Sequence, residues 1–182
     1  MLQKSSNSLR YQTGSNEWYT PANIIERARC VMGGIDLDPA SSQAANRIVG
    51  ATEYYDEVDD GLRQNWYGNV WCNPPYGKLA KQFTERALMD YLEGRITQFI
   101  LLLNSGVLES AWFQPLWKPP ICILRGRLRF LSPVSVSKGP THGSILVYRG
   151  PNERSFIINF QDIGNVIAKV HNSHRRLRKR AH

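Results

Sequence analysis

The sequence holds only three cysteines, Cys30, Cys72 and Cys122, and none is in CxxC spacing. That argues against a disulfide framework and a zinc cluster, and leaves the thiols as small buried hydrophobes. Its four histidines, His142, His171, His174 and His182, make no ligand spacing with cysteines or acids, so no metal is expected. No apolar run approaches the roughly 18 residues of a membrane-spanning helix. The polar start MLQKSSNSLRYQTGSN lacks the apolar stretch of a signal peptide. A soluble, cytoplasmic protein with no membrane partner is the expectation. Glycines are also missing where a nucleotide-type loop would carry them, since none falls between Asp36 and Asn46. Internal repeats are absent too.

What is present suits one globular domain. The chain has 182 residues, 42% of them apolar, enough for a real core. Its net charge is +8, but five basic residues crowd the last eight positions, RRLRKRAH. That tail, including Arg175 and Arg176, is either a solvated end or a contact for a polyanion. The expected division is a flexible head over 1–16, one domain over 17–170, and a basic tail over 171–182.

Helix and strand patterns alternate between residues 35 and 117, which predicts an α/β fold with a mostly parallel sheet. EWYTPANIIERARCVM reads as a helix capped by Thr20, with Pro21 in its first turn, ending at Gly33-Gly34. IDLD begins a short strand, PASSQAANRIV a short helix, and WYGNVWC another strand. ATEYYDEVDDG, with acidic and aromatic residues mixed, is ambiguous between the two patterns. KLAKQFTERALMDYLEG shows one apolar face of Leu79, Phe83, Ala87 and Leu88 opposite a polar one. The unbroken apolar run ITQFILLLN predicts a strand buried on both sides. A short helix is expected in SAWFQPLW, with strands in ICILRGRLRFL, SILVYRG and SFIINF, and a last helix in QDIGNVIAKVHN. Strands crowded near the C-terminus predict an antiparallel edge.

The most informative stretch is VWCNPPYGK, Val70 to Lys78. Two prolines fix φ twice and remove two amide donors, leaving a stiff segment straight after a strand. In α/β sheets, ligands bind beyond the carboxyl ends of strands. There the Asn73 side-chain carbonyl and the adjacent backbone carbonyl form two convergent acceptors. An exocyclic amine on a heterocycle offers two N–H donors, and its lone pair is delocalised into the ring. Gripping both hydrogens favours a more pyramidal nitrogen, able to attack an electrophilic methyl without a strong base. Tyr76 is placed to stack on a planar ring, as for a base taken out of its duplex.

NPPY resembles the catalytic motif of S-adenosylmethionine-dependent amino methyltransferases, which act on adenine, cytosine or glutamine nitrogens. NEWYTP, IDLDPASSQAAN, DDGL, GNVWCNPPYG, LLLNS, WFQPLW, RGRLRF and GSILVY follow in one order from about Glu17 to Tyr148. Together they resemble the small bacteriophage DNA N6-adenine methyltransferases, the phage Dam-like family. The resemblance implies a Rossmann-like methyltransferase fold, S-adenosylmethionine as cofactor, and DNA as substrate. Asn73, Pro74, Pro75 and Tyr76 would be catalytic, with Asn73 and the Pro74 carbonyl on the adenine amine. Asp36 or Asp38, followed by Pro39, would meet the methionine ammonium, while Tyr19, Thr20 and Pro21 line the pocket near its carboxylate. Asp60 would accept from the cofactor's adenine amine, with Leu62 against the ring. Which of Glu53, Asp56, Glu57, Asp59 and Asp60 meets the ribose stays open.

Plainer readings stand beside these. Asp36 and Asp38 could simply cap the helix in PASSQAAN, and the five tryptophans are core or rim packing. Arg125, Arg127 and Arg129 alternate along an expected strand, so they share one face, either solvated or against phosphates. Lys138 and His142, between the last two strands, could also touch DNA. An RNA adenine, a protein glutamine, or a silent nucleic-acid-binding module are the alternatives to DNA methylation. At this length there is little room for a recognition domain, so a partner or a dimer could complete the contacts.

Overall fold

The computed structural model of the chain describes residues 19–118, 120–130 and 142–168. The expected head over 1–16, the basic tail with Arg175 and Arg176, and Lys138 lie outside them.

Seven strands form one sheet in the order β2-β1-β3-β4-β6-β5-β7. They are β1 Leu37–Asp38, β2 Glu53–Tyr54, β3 Gly68–Cys72, β4 Ile96–Asn104, β5 Ile121–Leu124, β6 Ser144–Arg149 and β7 Gly164–Ile167. The first four pair in parallel. β6 runs antiparallel to both β4 and β5, so β5 points the same way as the parallel block. β7 closes the edge antiparallel to β5. The expected mixed α/β sheet, parallel at its centre and antiparallel toward the C-terminal side, is therefore present. Strand direction carries a functional consequence: Asp38, Cys72, Asn104 and Leu124 all end at one rim.

Both faces of the sheet are covered. The period-2 alternation of β4 sends Ile100 and Leu102 to one side and Phe99, Leu101 and Leu103 to the other. On the first side they meet helix α1 (Ala22–Met32) through Ile24, Ile25, Ala28 and Val31, and helix α4 (Glu153–Phe160) through Phe156 and Phe160. The second side holds helix α3 (Lys78–Leu92), with Phe83 and Ala87, and two 3-10 helices, Ser105–Glu109 and Ala111–Trp117. A buried polar network fastens α1 to the sheet away from the rim. Gln98 donates to Met32 O at 3.0 Å and Asn69 Oδ1 at 2.9 Å, and accepts from the Tyr148 hydroxyl at 2.8 Å. Each of those buried groups has a partner, so the network costs no unsatisfied desolvation.

Several expectations change. SFIINF belongs to helix α4, because Phe156 and Phe160 are four apart and both fully buried on one helical face. QDIGNVIAKVHN contains strand β7, since Gly164–Ile167 supplies the hydrogen bonds that the edge of β5 needs. Close approach fixes the glycine there: a Cβ on Gly164 would stand 2.3 Å from Cys122 Sγ. The run ICILRGRLRFL stops being a strand at Leu124, where Gly126 at φ +73° turns the chain. Pro21, not Thr20, occupies the capping position of α1, and it makes no side-chain cap. Helix α2 (Gln43–Val49) is capped by Ser42, whose hydroxyl accepts from Ala45 N, and not by Asp36 or Asp38.

Candidate functional site

Asn73 follows the last residue of β3 and so stands at the rim. Its Nδ2 donates to Thr20 Oγ1 at 3.4 Å, a contact spanning 53 residues of sequence. Thr20 is 5% exposed, so the contact is shielded from water. With the amide nitrogen turned to Thr20, Oδ1 is left without a partner among the described residues. The Pro74-Pro75 pair carries the chain from there to Tyr76, which is 51% exposed. Partial burial pushes its phenol above the usual tyrosine range.

Tyr76 and Pro74 line a cavity of about 290 Å³ that also takes in Asn104, Ser110, Trp112 and His142. That is at the small end of ligand pockets, which begin near 300 Å³. Tyr76 and Trp112 give it aromatic walls. Asn104 ends β4 at the same rim, with its side chain accepting from Gly106 N at 2.7 Å. Sequence reading missed Asn104 and Ser110 as site residues and read Trp112 as packing. The rule that placed Asn73 at a strand's carboxyl end would also have flagged Asn104.

On the other side of Asn73 lies Asp38, the last residue of β1. Its carboxyl is 2% exposed and accepts from Ala40 N at 3.3 Å. Burial pushes its pKa from 3.8 up to about 7, against the lowering pull of Ser41 and of the Ala40 N–H. Ser41 Oγ favours the charged form yet makes no hydrogen bond of ordinary geometry, and it is itself buried. Among the described residues no cation pairs with Asp38. A buried acid and a buried hydroxyl, both under-satisfied at a sheet rim, fit an ammonium-bearing ligand.

Asp36 is elsewhere. It precedes β1, and its carboxylate accepts from Asn69 N at 2.7 Å near the start of β3, toward the amino-terminal ends of these strands and away from the rim. A Cβ on Gly68 would lie 2.2 Å from Asp36 Oδ2, so that glycine exists to admit the carboxylate. The structure thus separates two acids that spacing alone left equivalent.

The segment Asp60-Gly61-Leu62 packs directly on the Asp38–Pro39 turn. An added Cβ on Gly61 would sit 1.9 Å from the Pro39 carbonyl oxygen, so only glycine permits the approach. Asp60 takes a left-handed φ of 54°, which an aspartate tolerates better than most residues. Its carboxylate pairs with Arg63 at 3.0 Å on the surface. Leu62 is partly buried against the core. Tyr19 and Pro21, both half-buried, flank Thr20.

The expected basic strand face does not form. Arg125, Arg127 and Arg129 are exposed beyond β5 and border a cleft of about 280 Å³ with Pro21, Asn23 and Leu128. Arg125 donates to the carbonyls of Gln161 and Asp162, which fixes it to the end of α4. Arg127 and Arg129 form no ion pair with a described residue. Among the described residues, no group of three or more His, Cys, Asp or Glu could hold a metal, and no helix is long and apolar enough to cross a membrane.

No curated protein matches the chain. Residues 7–169 match the family model described as DNA N-6-adenine-methyltransferase (Dam).

Proposed function

Since the chain belongs to the DNA N-6-adenine-methyltransferase (Dam) family, we propose that it moves a methyl group from S-adenosylmethionine to the exocyclic amine of an adenine flipped out of DNA. The observation that carries this reading is the orientation of Asn73. Thr20 holds its amide nitrogen, and that frees Oδ1 to accept from a substrate amine beside an aromatic cavity.

S-Adenosylmethionine, when bound, would supply an electrophilic methyl on a sulfonium. Asp38 fits its ammonium, because a carboxylate buried without a cation gains most from one. Thr20 and Tyr19 suit its carboxylate end, and Asp60 and Leu62 its adenine. The fold supports the same reading. Five co-directed strands with β6 inserted antiparallel between β4 and β5 agree with a Rossmann-like methyltransferase sheet.

Tyr76 and Trp112 would hold the flipped adenine in the cavity by stacking. Asn73 Oδ1 and the Pro74 carbonyl accept its two N–H bonds, which localises the nitrogen lone pair toward the methyl. The amine would gain an N–C bond as the methyl of S-adenosylmethionine gives up its S–C bond, and the surplus amine proton would pass to water. Arg127 and Arg129, which have no ion pair among the described residues and lie at the same rim, suit DNA phosphates, which position the duplex without reading sequence. A role for the modification in bacteriophage DNA follows from the motif resemblance.

Asn73→Ala tests the mechanism. Tritiated-methyl incorporation into DNA should fall below detection while S-adenosylmethionine still binds. Methylation at the parental rate would refute the assignment. Nucleoside mass spectrometry of DNA and RNA from expressing cells identifies the substrate, and N6-methyladenosine in RNA with none in DNA would overturn the DNA reading.

A further inference from the structure

Helix α3 places an Arg–Asp pair, Arg86 and Asp90, on a face that the sequence presents as plain polar surface. Asp90 is fully buried. Its Oδ2 accepts from Arg86 Nε at 2.6 Å, and its Oδ1 accepts from Arg95 Nε at 2.8 Å and Nη2 at 2.5 Å. A carboxylate held by two guanidinium groups is a rigid anchor for both. Arg86 then uses its remaining nitrogens elsewhere. Nη1 donates to Leu62 O at 2.8 Å and Nη2 to Gln64 O at 3.0 Å. Its guanidinium also lies 5.5 Å from the centre of the Trp66 ring, and Trp66 Nε1 donates to Gly61 O at 2.8 Å.

These contacts converge on one loop. Three carbonyls between Gly61 and Gln64 are held by two side chains, and the loop so held touches the Pro39 carbonyl. We infer that Arg86 is a positioning residue for cofactor binding: braced by Asp90, it presses the Asp60–Leu62 segment against the Asp38–Pro39 turn. The inference rests on the reading that S-adenosylmethionine binds against both of those segments. Lysine could not replace it, since one ammonium on a flexible stem cannot brace Asp90 and bridge two carbonyls together.

Arg86→Ala leaves Asp90 paired with Arg95, so the variant keeps a compensated buried charge and is expected to fold. Trp66→Phe removes the indole N–H to Gly61 O while keeping an aromatic ring, trimmed in size, at that buried position, and serves as a second variant. Calorimetric S-adenosylmethionine affinity should fall on the order of tenfold in Arg86→Ala, a loss equal to one or two hydrogen bonds. A smaller loss is expected in Trp66→Phe and an intermediate one in Arg86→Lys. DNA affinity measured by anisotropy should stay at the parental value. Hydrogen exchange in the cofactor-free protein should speed up across residues 61–66 and not in β3 or β4. Unchanged cofactor affinity in both Arg86→Ala and Trp66→Phe overturns the inference, even with faster exchange in the loop. So does a parallel fall of DNA affinity, cofactor affinity and melting temperature, which marks a general packing role. If the parent itself fails to bind S-adenosylmethionine, it is the functional reading that fails.

Discussion

Replacing Asp38 by Asn should make the protein more stable and less able to bind its cofactor. An aspartate in the unfolded chain ionises near 3.8, whereas burial holds folded Asp38 protonated up to about 7. Below the lower value both states are protonated, and the carboxyl costs nothing. Between the two values the unfolded chain gives up its proton while the folded one keeps it, so stability falls as pH rises. Above about 7 the folded carboxylate is charged and the full cost is present. The rise from 3.8 to about 7, at about 1.4 kcal/mol for each tenfold change in acidity, puts that cost on the order of 4 kcal/mol. Asp38→Asn removes it, so the variant should resist urea better than the parent at pH 8 and about equally at pH 4. Cofactor binding should respond in the opposite sense, because an ammonium needs the ionised form. In the parent, affinity for S-adenosylmethionine should weaken by up to about tenfold per unit as pH drops below 7. In Asp38→Asn it should be weak at every pH. Urea titrations and calorimetry at pH 6, 7 and 8 read both effects. A variant less stable than the parent at pH 8, or a parent whose affinity is flat across that range, would refute the reasoning.

Two further outcomes follow from the same geometry. Gly61→Ala adds a Cβ 1.9 Å from the Pro39 oxygen, where ordinary contact starts at 3.4 Å. The backbones must part, at a cost of about 1–3 kcal/mol in stability, with weaker cofactor binding; unchanged urea midpoint and affinity would contradict the close packing. Tyr76→Ala should raise KM for DNA by about fivefold to a hundredfold, in line with about 1–3 kcal/mol for stacking a base. Tyr76→Phe keeps the ring and should behave as the parent, so a Phe variant as impaired as Ala would show that the hydroxyl matters and stacking does not.

Much of the architecture is legible locally. The unbroken apolar run of β4, the amphipathic period of α3 and the Gly33 stop after α1 each announce an element within its own residues. The two reversed assignments, α4 and β7, are short segments whose apolar spacing fits either period. Their state depends on what lies beside them: Phe156 and Phe160 find a core against α1, and Gly164–Ile167 finds an open edge on β5. Arg125, Arg127 and Arg129 likewise read as a strand face because alternation is visible, while the turn at Gly126 depends on where β5 runs out of partners.

For the site, sequence alone determined the chemistry on offer: a stiff Asn-Pro-Pro-Tyr segment after a strand, with acids and a threonine upstream. Covalent restraint acts through neighbours in the chain, so two adjacent prolines declare their stiffness wherever they occur. Tertiary structure decided which atoms meet. Asp36 and Asp38 are two residues apart and chemically alike, yet one ties β1 to β3 and the other is buried at the rim with no cation beside it among the described residues. Thr20 reaches Asn73 across 53 residues, and Arg86 leaves an apparently solvated helix face to grip Leu62 and Gln64. Such partnerships are set by strand direction and by burial, and neither quantity is a property of any one stretch of chain.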